Sequence, residues 1–321
     1  MMNNQANLLI VSSSPHIHND NSVAKAMHDV SIALIPALIA SLYFFGLAAA
    51  KVIITCILMA VLSEFVAQKI MKKEITIYDG SAVVTGLLLA FCLPSTLPLW
   101  MAAIGSVVAI IIGKQFFGGL GNNIFNPALI GRAVLLASWP IAMTSWAAPL
   151  DGVTTATPLG MLKEGTIAEQ LPSLWNLFIG NVGGSLGETC ALALIFGGIY
   201  LLLKGHIDWH IPVTYIGTVF VFTLIVGFVM GEGLWYPLFH VLSGGLLLGA
   251  FFMATDWVTS PITKKGKIIF GIGCGLLTVI IRLKGGYPEG VCYSILLMNM
   301  ITPLIDRYAK ARVFGGVSKH A

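Results

Sequence analysis

Long apolar stretches alternate with short polar connections over most of the chain. An α-helix needs roughly 20 residues to cross about 30 Å of membrane hydrocarbon, and many of these stretches approach that length. The apolar runs fall at 30–50, 51–70, 81–96, 98–114, 125–141, 187–204, 211–231, 238–255, 267–283 and 290–306. The pattern predicts an all-α polytopic membrane protein with about ten transmembrane helices.

The composition agrees with a chain whose main solvent is lipid. Hydrophobic residues make up 57% and charged residues 10% of the sequence, and the mean hydropathy is +0.88. A soluble domain carries about 25% charged residues. The net charge of +4 does not indicate nucleic-acid binding, because the basic residues lie in short loops. The five cysteines lie within or beside apolar runs, which favours small core residues over metal ligands.

The positive residues predict the orientation. If the N-terminus lies in the cytoplasm and the spans alternate, most of the 18 Lys and Arg residues fall on the cytoplasmic side, as the positive-inside rule requires. The exceptions are Lys51, Lys163, Arg282 and Lys284. Both termini are therefore expected in the cytoplasm, and the loop 142–186 on the extracytoplasmic side.

The two halves of the chain resemble each other. Thr85–Ala90 in the third run reads TGLLLA and Gly244–Gly249 in the eighth reads GGLLLG, while a Gly-Gly pair follows both the fourth and the ninth run. Five spans are an odd number, so the second half must enter the membrane inverted. The predicted units are a cytoplasmic segment (1–28), a first five-helix repeat (29–141), the extracytoplasmic loop (142–186), a second five-helix repeat (187–306) and a cytoplasmic tail (307–321).

Two apolar runs are interrupted, at Leu93–Pro98 and at Ala254–Pro261. Unpaired backbone groups cannot lie exposed in hydrocarbon, so each interruption must line a cavity or pack against protein. Inverted repeats with matching interruptions point to a site near the repeat interface.

The loop 142–186 contains the hydroxyl-rich segment Asp151–Leu159, DGVTTATPL. One interpretation is a place where a group is attached or bound. The other is a capped turn, in which Thr154 or Thr155 accepts backbone hydrogen bonds and Pro158 opens a helix. A threonine hydroxyl is a poor nucleophile unless an enzyme activates it, so attachment requires a transferase that reaches an exposed loop.

Two other connections carry candidate binding residues. Gly118–Ala128 contains Asn122 and Asn126, which suit either a polar pocket for a planar heterocycle or a tight turn with Asn caps before a helix. Arg282 and Lys284 are expected on the same outer face as DGVTTATPL. They suit either an anionic group, such as a phosphate or a reduced flavin, or ordinary interfacial anchoring.

Four ionisable residues stand at membrane depth. Glu64, Arg132 and Asp256 are expected near the cytoplasmic ends of their spans, where water solvates them. His240 is expected to begin a helix at the outer face and to be a histidine without a ligand role.

DGVTTATPL resembles the flavinylation motif of the RnfD/NqrB family, roughly Asp-x-x-(Ser/Thr)-x-Ala-Thr. The resemblance implies that the final threonine, Thr157, carries FMN through a phosphoester bond. It also implies that a flavin transferase reads Asp151, Thr154 and Ala156.

The resemblance extends over nearly the whole chain. It includes Ser14–His16, TGLLLAFCLPS, GKQFFGGLGNNIFNPA, Phe252–Asp256 and GGYPEG. About 28 residues precede the first span, which is closer to the RnfD branch than to the NqrB branch with its longer N-terminal extension.

The family implies a membrane subunit of an Rnf-type ion-translocating oxidoreductase in a prokaryotic plasma membrane, which couples electron transfer between ferredoxin and NAD to Na⁺ or H⁺ transport. Its expected partners are Rnf subunits A, B, C, E and G, the flavin transferase and membrane lipid. The family also implies a second, non-covalent flavin, riboflavin, in or beside this subunit. The residues alone equally describe a secondary transporter or channel without flavin, or a structural membrane anchor.

Overall fold

The computed structural model describes residues 22–165 and 171–310, and it is helical almost throughout. Ser14–His16 and parts of both predicted terminal segments lie outside these residues. The helices are α1 Val23–Ile70, α2 Ser81–Phe91, α3 Leu99–Ile110, α4 Pro127–Ser138, α5 Pro140–Met143, α6 Pro158–Lys163, α7 Leu174–Ile179, α8 Ala191–Lys204, α9 His210–Met230, α10 Trp235–Leu242, α11 Leu246–Leu248, α12 Lys264–Lys284 and α13 Val291–Tyr308. One 3₁₀ turn (Ile77–Asp79) and two π-helical segments (Ile111–Gln115 and Gly249–Met253) join them.

Two short strands, β1 Trp146–Ala147 and β2 Thr154–Thr155, are the extended elements within the described residues. All five cysteines are buried, as expected for small core residues. The all-α class predicted from the apolar runs is confirmed.

The 48-residue helix α1 reverses direction at Gly46. This residue has φ 57° and ψ −138°, a conformation that glycine adopts without the penalty of a side chain. The two halves run antiparallel, because both reach the start of α2. Met27 in the first half lies against Gly80, and Glu64 in the second half shares the Lys114 ammonium with Ser81. Helix α1 therefore supplies the first two predicted spans.

Each of the ten apolar runs contains helix once α1 is divided at its reversal, and the short helices α6 and α7 lie in the predicted loop 142–186. Among residues 22–165 and 171–310, three helices are long and apolar enough to span a membrane alone: α1, α9 and α12. A fourth span forms if α10 and the segment Leu246–Met253, which comprises α11 and the second π-helical segment and is bent by 63° from α10, cross as one unit. The apolar helices α2, α3, α4 and α8 are shorter than 18 residues. The number of crossings stays a prediction.

Both interruptions pack against protein, as expected. The N–H groups of residues 186–187 donate to the carbonyls of Leu93 and Phe91, at 3.1 and 3.0 Å. In the second interruption, the Thr302 hydroxyl donates to the Thr259 carbonyl at 3.0 Å. Backbone groups that the broken helices leave open are thus satisfied inside the molecule.

The connections between helices form two groups, one at each end of the bundle, and the members of each group contact one another. One group joins 71–80 to 116–126, 205–209 to 256–263 and 256–263 to 306–310. The other joins 44–46 to 148–152, 94–98 to 144–146 and 158–165 to 285–290. Alternating crossings produce this sorting. Which group faces the cytoplasm stays a prediction.

The two halves of the chain meet along α4 and α13. Near the start of α4, the backbone N–H of Asn126 points at the Asn299 amide, 3.2 Å away, once that amide is oriented to satisfy its neighbours. One and a half turns later, Arg132 forms an ion pair with Glu289, ahead of α13. A later residue of α4 thus contacts an earlier residue of the α13 region, so these helices are antiparallel. An inverted second half requires this relation, and the division into two repeats stays a prediction.

Candidate functional site

The segment DGVTTATPL begins as a small hairpin on the surface. Strand β1 pairs antiparallel with β2, and the Ala148 N–H donates to the Val153 carbonyl at 2.7 Å to close the loop between them. Asp151 lies in that loop and is exposed, and Thr154 and Ala156 are exposed as well. The three residues expected to be read by a transferase are therefore accessible in the folded chain.

Thr157 behaves differently from its neighbours, because it is only 5% exposed. It is the N-cap of α6: its backbone is extended, and its hydroxyl oxygen accepts a hydrogen bond from the Gly160 N–H at 3.1 Å. Pro158 opens the helix, as the capped-turn interpretation predicted. The cap is Thr157 and not Thr154 or Thr155. The Thr157 hydroxyl lies three residues before Gly160, whose N–H has no partner within the first turn of α6 and donates to it.

Helix α6 is anchored from two sides. Beneath it, an apolar cluster comprises Leu159, Leu171, Leu177, Val182 and Phe239. At its C-terminal end, the Lys163 ammonium donates to the carbonyls of Gly285 and Tyr287, the latter at 2.9 Å. The segment DGVTTATPL and the connection between α12 and α13 therefore lie together, as their expected common face requires.

Thr157 borders a cavity of about 300 Å³, here called the Thr157 cavity. Its walls are Arg132, Leu136, Met143, Thr144, Trp146, Ala156, Thr157, Gly160, Glu164, Tyr287, Pro288, Glu289, Cys292 and Tyr293. Three aromatic rings and several apolar side chains surround a few charged groups. Such a wall suits a planar aromatic ring with a polar edge, and the volume is that of a small-molecule pocket.

A buried ion cluster forms part of this wall. The Arg132 guanidinium donates to Glu188 at 2.7 Å and to Glu289, and the Ser185 hydroxyl donates to the second Glu188 oxygen at 2.6 Å. The expectation that water solvates Arg132 is wrong, because its guanidinium is buried and paired with both carboxylates. Glu188 was not singled out from the sequence, although an arginine inside an apolar run requires an acidic partner.

Protein groups also bind Glu64 and Asp256, whereas His240 has a different environment. Glu64 is fully buried and pairs with Lys114 at 2.7 Å, so its expected solvation is wrong too. Asp256 is half-buried and accepts from the Thr259 hydroxyl at 3.1 Å. His240 does not begin a helix. It is the sixth residue of α10, is buried, and has ring nitrogens without hydrogen-bond partners among the described residues.

Arg282 and Lys284 have separate environments. The Arg282 guanidinium is buried and donates to the carbonyls of His240 at 2.5 Å and Ser243 at 3.1 Å. It approaches the flavin motif through Gly244, which lies against both Arg282 and Leu159. Lys284 is exposed and is not part of the Thr157 cavity wall. Burial of the Arg282 guanidinium thus argues against interfacial anchoring for Arg282, and for the exposed Lys284 anchoring stays a prediction.

The asparagine-rich connection borders a second cavity of about 330 Å³, the Asn126 cavity. Asn126 accepts from the N–H groups at the start of α4 at 3.1 and 3.4 Å, and its amide donates to the Met253 carbonyl at 3.2 Å. It is therefore a cap, as the turn interpretation predicted, and also a wall residue with Asp256 and Trp257. Asn122 is exposed and is not a wall residue.

Comparison with known proteins decides the family. A model described as the NQR2, RnfD, RnfE family matches residues 10–315. The chain belongs to this family. The resemblance to RnfD/NqrB proteins drawn from the motifs is thereby confirmed.

The relatives match over almost their full lengths. A Clostridium ljungdahlii protein, named as the D subunit of a proton-translocating ferredoxin:NAD(+) oxidoreductase complex, is 52% identical, with 96% of this chain and 97% of the relative covered. An Acetobacterium woodii protein with the corresponding Na(+)-translocating name is 55% identical, with 96% and 95% covered. The Escherichia coli protein named as the D subunit of an ion-translocating oxidoreductase complex is 37% identical, with 95% and 98% covered.

Proposed function

We propose that this chain is the D subunit of an Rnf-type complex, which moves Na⁺ or H⁺ across a prokaryotic plasma membrane as electrons pass between ferredoxin and NAD. The family membership and the names of full-length relatives support this assignment. The other Rnf subunits A, B, C, E and G are the proposed partners. Relatives of similar identity bear the names of different ions, so overall identity does not select the ion.

The chain's own task in this proposal is to hold FMN through a phosphoester bond at Thr157. The observation that carries the proposal is the position of Thr157 in the wall of an aromatic cavity of about 300 Å³. When bound, FMN accepts and releases one or two electrons. Trp146, Tyr287 and Tyr293 supply flat, largely apolar surfaces that hold a ring and exclude water. Arg282 is a nearby cation for a phosphate group.

Attachment requires the motif to open. The recognition residues Asp151, Thr154 and Ala156 are exposed, whereas Thr157 is buried and its oxygen is engaged by the Gly160 N–H. A flavin transferase outside the membrane therefore reaches Thr157 either before α6 packs or when α6 lifts from its cluster. Flavin loading and the docking of α6 are ordered events in this scheme.

A second, non-covalent flavin such as riboflavin is proposed for the Asn126 cavity. The cavity lies at the end of the bundle opposite Thr157, among contacts of the first group of connections. Its walls combine apolar side chains from α1 and α2 with the Asn126 amide and the Asp256 carboxyl group. A planar heterocycle needs both kinds of surface.

Charge at the flavin offers a route to ion transport. A redox change alters local charge in a medium of low dielectric constant, where electrostatic effects are strong. We propose that this change biases the packing of the two halves, which meet beside the Thr157 cavity along α4 and α13.

The decisive experiment expresses the chain with a flavin transferase and combines in-gel ultraviolet fluorescence with peptide mass spectrometry. The expected result is a fluorescent denatured band and one FMN phosphoryl group on the Thr157 peptide. Thr157→Ala should be dark, and the matched control Thr155→Ala, two residues away at a position that the motif leaves unspecified, should remain fluorescent. Covalent flavin on Thr157→Ala, or a wild-type mass equal to the bare polypeptide, would refute the attachment.

The same measurement addresses the rival functions. A secondary transporter or channel without flavin predicts a dark wild-type band and solute flux in liposomes. A structural anchor predicts a dark band without flux.

A further inference from the structure

Three charged residues from separate parts of the chain converge beside Thr157. Arg132 comes from α4, Glu188 from the segment before α8, and Glu289 from the segment before α13. All three side chains are buried or nearly so. The cluster joins the first half of the chain to two points of the second.

The cluster faces the proposed flavin site from two directions. Arg132 and Glu289 border the Thr157 cavity, while Glu188 and Glu289 border a smaller pocket of about 20 Å³ on which Thr157 also lies. The Arg132 guanidinium has more N–H donors than its hydrogen bonds to Glu188 and Glu289 use. Donors are therefore left for a ligand in the cavity that Arg132 borders.

Stability alone is a weak reason for such a cluster. A buried ion pair often stabilises a protein no more than apolar residues of the same volume, since burial removes water from both charges. Charged groups at membrane depth are expensive and usually functional. Here one cation faces two carboxylates in the wall of a cavity. Arg282 lies near both carboxylates and donates to backbone carbonyls.

We propose that the Arg132–Glu188–Glu289 cluster sets the reduction potential of the flavin at Thr157, which rests on the proposed function above. Reduction adds negative charge to the ring. Arg132 donates to the polar edge of the ring and stabilises that charge, while the two carboxylates oppose it. In the proposed function, electrons reach the ring from the ferredoxin side of the complex and leave towards NAD. The cluster itself is neither oxidised nor reduced, and it is a positioning and electrostatic element.

The test is a spectroelectrochemical titration of the purified, flavin-loaded subunit. At a fixed applied potential, Arg132→Gln should lower the ratio of reduced to oxidised flavin roughly tenfold, and Glu289→Gln should raise it by a similar factor, because one unit charge is removed near the ring in each case. Arg132→Lys should stay near the wild-type ratio. Asp208→Asn is the matched control, with an unchanged ratio, because it removes one carboxylate from an exposed pair in the connection 205–209, at the end of the bundle opposite Thr157.

Opposite shifts for the two charge removals separate this role from a structural one, which would move both variants in the same direction or in neither. If Arg132→Gln does not fold, the direction given by Glu289→Gln still decides the proposal. In-gel fluorescence distinguishes the two failures. A dark wild-type band overturns the proposed function, whereas bright bands with unchanged or same-direction ratios overturn the role of the cluster.

Discussion

The buried pair of Lys114 and Glu64 provides a prediction that depends only on the fold. Lys114 is 1% exposed and Glu64 is 0% exposed, and their charged atoms lie 2.7 Å apart. Lys114 also donates to the Ser81 hydroxyl at 2.6 Å, and the Gln115 amide donates to the same Glu64 oxygen at 2.8 Å. The perturbation is Lys114→Met, which keeps a long side chain and removes the cation.

The expected loss of unfolding free energy is large. At 2.7 Å and an effective dielectric constant near 20, the attraction between the two charges is roughly 6 kcal/mol. Part of this is offset by the cost of burying the lysine, and removing one partner of a buried pair typically costs about 3–5 kcal/mol. The loss arises because the Glu64 carboxylate stays buried with only neutral donors, while one of its oxygens already has no partner among the described residues.

The double variant Lys114→Met with Glu64→Leu removes both charges and should recover most of the loss, because no uncompensated charge remains. Equilibrium unfolding in mixed detergent micelles, arranged as a double-mutant cycle, measures both quantities. A loss below about 1 kcal/mol for Lys114→Met, or simple additivity in the double variant, would show that this pair does not hold the fold as reasoned.

Three further outcomes are expected. Lys163→Met removes the hydrogen bonds that hold the end of α6 to the carbonyls of Gly285 and Tyr287. The isolated variant without flavin should therefore accept FMN from the transferase faster than the wild-type subunit. An equal rate would mean that docking of α6 does not limit loading. The hydrogen bond from Lys267 lowers the pKa of Asp208, so the stabilisation that this pair gives is present above about pH 4 and is lost as pH falls through the lowered pKa. The loss is below about 1 kcal/mol, because the pair is exposed. Thermal denaturation across pH should show this loss in the wild type and not in Asp208→Asn. Because the five native cysteines are buried, an impermeant maleimide should label Asp151→Cys in intact cells and Tyr78→Cys only after permeabilisation, and the reverse pattern would invert the predicted topology.

Local sequence features determined much of the secondary structure. Apolar runs coincide with helices because an α-helix satisfies its own backbone groups, which lipid and a protein interior both demand. Pro127 and Pro158 each open a helix, since the first turn does not need the missing N–H. The reversal at Gly46 falls inside one apolar stretch and was placed to within a few residues by the division between the first two runs.

The site was only partly predictable. The motif predicted Thr157 as the attachment residue but gave no sign of its burial or of its role as the cap of α6, because both depend on the cluster beneath that helix. Arg132 was assigned to solvent, although Glu188 and Glu289 lie 56 and 157 positions away along the chain and close in space. Hydropathy describes short stretches of sequence and carries no information about ion-pair partners that are distant along the chain.

The sequence by itself determined that this is a helical membrane protein of the NQR2, RnfD, RnfE family, because apolar length and short contiguous motifs are local properties. Tertiary structure alone decided that an aromatic cavity, a capped threonine and a buried ion cluster share one wall. The reason is physical: packing the two halves along α4 and α13 brings distant charges into contact, and the cost of leaving any of them unpaired in a dry interior selects that arrangement.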